Sequence, residues 1–159
     1  MLSDLSEGYK RVVSSKKIDG YLCSVFVMAN VERLEQSNWQ FDFYDKKKDT
    51  ITSYVCGEEI KEINTDSDVF KEDHVVLKEL DLAEVKFSFE EALRKAKKIL
   101  KTKHESANKV IVVLQYSKIQ MWNITFLTNT FNMLNIKISA KNGKVVEEKL
   151  ASLLSFKNA

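Results

Sequence analysis

"NWQFDFYDKKKDTITSYVC", residues 38–56, sets Trp39, Phe41 and Phe43 against Gln40, Asp42 and Tyr44 with a period of two. Such alternation marks a strand with one buried face. The polar "DKKKD" (45–49) reads as a solvated turn, and "TITSYVC" as the antiparallel return strand. "MWNITFL" (121–127) repeats the pattern, with Trp122, Ile124 and Phe126 against Asn123, Thr125 and Leu127. "LNIKISAKNGKVV" (134–146) then returns with Leu134, Ile136 and Ile138 inward, and Asn142-Gly143 supplies a turn that tolerates positive φ. Trp39 and Trp122 are 83 residues apart, and at that offset Phe41 meets Ile124, Phe43 meets Phe126, Ile51 meets Leu134 and Val55 meets Ile138. Five inward positions in register predict a tandem duplication.

What precedes each hairpin has the same order. Leu2, Leu5, Tyr9, Val12 and Val13 fall at helical spacing, with Ser3 and Ser6 as candidate caps, and "GYLCSVFVMA" (20–29) follows as a strand. In the second half "KFSFEEALRKAKKIL" (86–100) has a capping box at Ser88 and Glu91, and Phe89, Ala92, Leu93, Ala96, Ile99 and Leu100 form one apolar stripe. A helix from Phe89 to Lys103 is predicted, followed by "KVIVVLQY" (109–116) as a buried strand. The acidic connector contributes one strand, for which "HVVLKELDL" (74–82) is the candidate, and Leu150, Leu153 and Leu154 predict a closing helix. The expected fold is α+β: two helix-plus-antiparallel-sheet repeats packed with pseudo-twofold symmetry. Residues 1–62 form the first repeat, 63–85 the connector, and 86–159 the second repeat with its C-terminal helix.

The chain of 159 residues is 44% hydrophobic and 30% charged, a balance that excludes a disordered chain. No apolar run approaches the roughly 18–20 residues that span a bilayer, and the chain is read as cytoplasmic. In a reducing compartment Cys23 and Cys56 stay as buried thiols, a bridge between them being the lesser alternative. Net charge is +2, but residues 1–85 carry 11 basic against 18 acidic side chains, and residues 86–159 carry 14 against 5. Two halves of net −7 and +9 predict either a basic half that meets an anionic partner or halves that dock on one another, and the second is expected.

Catalytic chemistry is not legible. His74 and His104 form neither a metal pair nor a nucleophile-base pair. Asn64, Asp66 and Asp68 alternate like a calcium loop, but Val69 and Val75 stand where a glycine and a closing carboxylate are required. The four glycines are scattered, so none cradles a phosphate. No catalytic, metal or cofactor residue is assigned, and the chain is read as a nonenzyme. Arg94, Lys95, Lys97, Lys98, Lys101 and Lys103 avoid the apolar stripe of their helix and sit mostly toward its C-terminal, negative end. They are the candidate basic surface, read first as a solvated face and second as a polyanion site. Tyr44 and Tyr54 are the candidate exposed aromatic contacts, and Leu127 also points outward.

These motifs resemble the PepSY family. Its units show a helix opened by an "(I/F)S-hydrophobic-E-E-A" stretch, a Trp-led strand and a closing "DA-x-x-G-x-V" turn. Here "FSFEEALRKA", Trp122 leading "WNITF", and "SAKNGKVV" with Ser139 in the Asp position match over Lys86–Val146. The first half matches through the duplication. The resemblance implies a noncatalytic module with a small PepSY/cystatin-like sheet curled around a helix. Many members of the family are secreted or membrane-tethered and restrain peptidases or cell-surface enzymes. The functional expectation is a binding or regulatory module acting through protein contact, as monomer or homodimer, without cofactor or membrane span. Nucleic-acid binding through the basic half and an enzyme built on a pocket of the curled sheet are the alternatives.

Overall fold

The computed structural model describes residues 2, 4–68 and 77–158. Its elements run α1 (Leu5–Ser15), β1 (Tyr21–Asn30), β2 (Gln40–Asp45), β3 (Thr50–Cys56), β4 (Ile60–Asp68), α2 (Phe89–Thr102), β5 (Ala107–Tyr116), β6 (Gln120–Thr128), β7 (Asn132–Ser139) and β8 (Val145–Ser152). All eight strands lie in one antiparallel sheet, ordered β4-β3-β2-β1-β5-β6-β7-β8. The chain is thus α+β, with each helix followed by four strands.

Both helices begin with a side-chain cap. The Ser88 hydroxyl accepts from the Glu91 N–H at 3.1 Å, as the sequence indicates. At α1 the cap is Asp4, whose carboxylate accepts from the Glu7 N–H at 3.1 Å, rather than a serine. Either cap contributes about 1 kcal/mol. The two helices cover the same face of the sheet. Val12, Phe89, Ala92, Ala96 and Leu100 bury against Val25, Phe41, Leu114, Trp122, Ile124 and Ile136 in one core.

The return strand of the first hairpin runs one residue out of the expected phase. Phe41 pairs with Tyr54 and Gln40 with Val55, so Tyr54 and Cys56 face the helices while Ile51 and Val55 do not. In the second hairpin Trp122 pairs with Ile138 and Ile124 with Ile136, as expected. The cause is loop length: four residues (46–49) separate β2 from β3, and three (129–131) separate β6 from β7. One extra turn residue reverses the faces of everything after it.

Three further expectations are corrected. The C-terminal helix is instead β8, an edge strand that partners β7 from Asn132↔Ser152 to Ile138↔Val145 and ends in a 3-10 turn, Leu153–Asn158. The backbone groups of β7 need partners on that side, and Val145–Ser152 provides them. In the connector the strand is β4. Residues 77–81 of the "HVVLKELDL" candidate are irregular, with Leu80 buried and its N–H bonded to Leu22 O at 2.8 Å, and a 3-10 turn follows at Leu82–Glu84. Residues 74–76, His74 included, lie outside the described residues. Finally, among the described residues the halves do not dock through opposite charge. They are joined by the β1–β5 ladder, from Ser24↔Gln115 to Asn30↔Lys109, and by Trp39, Phe89 and Trp122, whose ring centroids lie 5.0–6.3 Å apart. Ion pairs among the described residues, Lys103–Glu148 at 2.9 Å and Lys137–Glu147 at 2.8 Å, fall within the second half.

Candidate functional site

Because both helices lie on one side, the alternate side chains of every strand project to the other, which no helix among the described residues covers. At its centre β1 and β5 place Phe26 beside Val113 and Met28 beside Ile111. Met28 is 55% exposed and the other three are partly so. Tied-down polar side chains flank it on both sides, and Leu127, Met133, Ile51 and Val55 project to the same face farther out. On β6 and β7 the Asn135 side-chain amide donates to Asn123 Oδ1 at 2.6 Å and to Thr125 Oγ1 at 2.8 Å. On the first-half side the Asp42 carboxylate accepts from the hydroxyls of Ser24 and Ser53, each at 2.6 Å, and from the Gln40 amide at 2.8 Å. The centre of this face is thus apolar and accessible, chiefly at Met28, beside fixed polar side chains.

The two aromatic contact candidates are not available for contact. Tyr54 is 5% exposed, faces the helices and meets Phe43 edge-on at 5.8 Å. Tyr44 does project to the bare face but is 3% exposed, since its ring lies edge-on to Tyr21 at 5.9 Å and its hydroxyl donates to Asp49. The face is instead served by Phe26, Met28, Ile111 and Val113. Their signal was hidden because "GYLCSVFVMA" and "KVIVVLQY" are apolar on both sides, which leaves no alternation to read.

The structure brings the six basic residues to one helix surface but engages them differently. Lys95 donates to the Gly143 carbonyl and sits 5.7 Å from the Phe87 ring centroid, and Lys103 is paired with Glu148. Arg94, Lys97, Lys98 and Lys101 remain exposed.

At the seam, where α1 and α2 both begin, a cavity of about 150 Å³ is lined by Leu5, Leu82, Val85, Phe89, Asp4 and Glu90 over the two tryptophans. Its volume is below the 300–1,000 Å³ of ordinary small-molecule sites, and Trp39 and Trp122 beneath it are essentially inaccessible. Cys23 and Cys56 are both buried free thiols, with burial and the neighbouring Asp42 pushing the Cys23 thiol up to about 12. His104, in the left-handed region at φ 56, is an exposed turn residue after α2. Among the described residues no three His, Cys, Asp or Glu side chains are grouped to hold a metal.

The fold has a counterpart among solved structures. A Clostridium difficile 630 chain, described as a "putative lipoprotein", superposes with a TM-score of 0.56 over 89% of this chain and 90% of its own, at 14% identity. At that identity the likeness establishes fold alone. The cytoplasmic expectation is corrected on the fold: the lack of an apolar span does not place this fold in the cytoplasm. That expectation rested on the lack of an apolar span, yet the same fold occurs in a chain described as a lipoprotein, a class anchored by an attached lipid rather than a span. No helix among the described residues is long and apolar enough to cross a membrane. No family model matches the chain, and no curated protein does.

Proposed function

We propose that the chain is a noncatalytic binding module, a tandem pair of PepSY-like units, that receives a protein partner on the bare face of its sheet. The observation that carries this reading is the Phe26, Met28, Ile111 and Val113 centre, accessible on a face opposite both helices. The duplication is supported by the strand order, which reads β4 to β1 outward on one side of the β1–β5 seam and β5 to β8 on the other. It is supported too by the equivalent caps Asp4-Glu7 and Ser88-Glu91 and by the paired tryptophans. A pseudo-twofold axis through the seam would relate the units. The putative lipoprotein neighbour favours a chain that works outside the cytoplasm, tethered or secreted, where the PepSY resemblance also points.

A photo-crosslinking residue placed at Met28 tests the surface, with Lys97 on the helix side as control. Exposed to its native extract, the Met28 derivative should yield a discrete protein adduct and the Lys97 derivative none. The reverse pattern would sink the reading. Polyanion binding is the second reading, favoured by the exposed Arg94, Lys97, Lys98 and Lys101. It requires retention of RNA that weakens steeply with salt and is lost when Lys97, Lys98 and Lys101 are changed to Gln.

A further inference from the structure

The edge strand β8 ends the sheet without a neighbour among the described residues, and it carries its own complement. Val146 is 51% exposed and Leu150 46%, on a strand whose residues from Val145 to Leu150 are all exposed. Glu148, the partner of Ile136, and Leu150, the partner of Leu134, project to the helix side, while Glu147 and Lys149 project to the bare side. We propose that β8 pairs antiparallel with β8 of a second copy of this chain, about a twofold axis through Glu148, to form a continuous sixteen-stranded sheet.

The register follows from symmetry and side-chain chemistry. A twofold axis perpendicular to the sheet must pass through a residue paired with its own copy, so only one-residue steps of the axis need comparison. Val146 is the extra residue of a bulge between Val145 and Glu147, so the regular pairing of β8 runs from Glu147 to Ser152. Through Glu148, Glu147 meets the partner's Lys149 on the bare side, and this contact occurs twice. The two Glu148 carboxylates that face across the axis each hold Lys103 at 2.9 Å, so they enter the interface already paired. An axis through Glu147 would set Glu147, itself held by Lys137 at 2.8 Å, against its own copy, and one through Lys149 would set Lys149 against its own copy, so neither brings opposite charges together. Charges on an edge strand ordinarily protect it from pairing. Here only the axis through Glu148 sets opposite charges, Glu147 and Lys149, against each other, so they select a partner instead of refusing one. This interface uses the sheet's edge and leaves the bare face of each copy open, so it is independent of the function proposed above.

Sedimentation velocity of the full chain tests the pairing through charge reversal. The parent should show a concentration-dependent dimer. Glu147→Lys and Lys149→Glu should each weaken self-association by about tenfold or more, since either one sets like charges opposite at two places. An equimolar mixture of the two variants should recover the dimer, because each then offers what the other lacks. Leu150→Asp, on an exposed position, should also dissociate it and covers the case in which Glu147→Lys, losing its Lys137 pair, folds poorly. A parent that stays monomeric, variants that associate as the parent does, or a mixture that remains monomeric would each overturn the proposal.

Discussion

Gly143 shows how much a single position can constrain this fold. It sits at φ +76, and a Cβ there would lie 2.5 Å from the Phe87 ring, the aromatic under Lys95. Gly143→Ala should therefore lose about 2 kcal/mol or more, from the left-handed backbone and from overpacking together. Urea denaturation reads this directly, and an unchanged midpoint would refute the close approach. Burial at Cys23, whose thiol is pushed up to about 12, predicts a second result: native protein at neutral pH should resist alkylation there and at Cys56, where burial also raises the thiol. Rapid modification without unfolding would show the strands to be more open than described. At Glu105 the Thr130 hydroxyl and the Asn132 amide hold the carboxyl below its ordinary value. The stabilisation is present above the unfolded carboxylate range and is lost as pH falls through the lowered folded value. Amide protection in the 129–131 turn should accordingly fall in acid, and Glu105→Ala should remove that pH dependence.

At the scale of elements, what the sequence made legible was whatever alternates or caps. Ser88-Glu91 and the Phe89-to-Leu100 stripe located α2, and the alternation behind each tryptophan located both hairpins, because burial on one face writes itself into a period. The phase of β3 was not legible, since one additional residue in the 46–49 turn moves Tyr54 and Cys56 inward without altering any local propensity. Nor was β8, where Leu150, Leu153 and Leu154 offer helical spacing that the open backbone of β7 overrides. The face proposed for binding was hidden for a third reason: the centre strands are apolar on both sides. The tryptophans carry the testable consequence at this scale. Trp39→Ala and Trp122→Ala should each cost about 3–5 kcal/mol, and the double variant should cost less than their sum because the rings share one cluster, 6.3 Å apart. Strict additivity would mean that the seam does not couple the halves.

The whole molecule is described as one unit: two helix-plus-four-strand halves that share a sheet through β1 and β5 and a core through Trp39, Phe89 and Trp122. Shared backbone pairing and shared aromatic packing require that neither half open alone, and the location of the bare face depends on that, since Phe26, Met28, Ile111 and Val113 come from both halves. The most direct measurement is native-state hydrogen exchange across the seam. Amides of Val25 and Val27 in β1 and of Val110 and Val112 in β5 should exchange only through global unfolding, with one common free energy and one denaturant dependence. Exchange of one set at a markedly lower free energy, with two separate unfolding transitions, would show two independent domains and contradict the account.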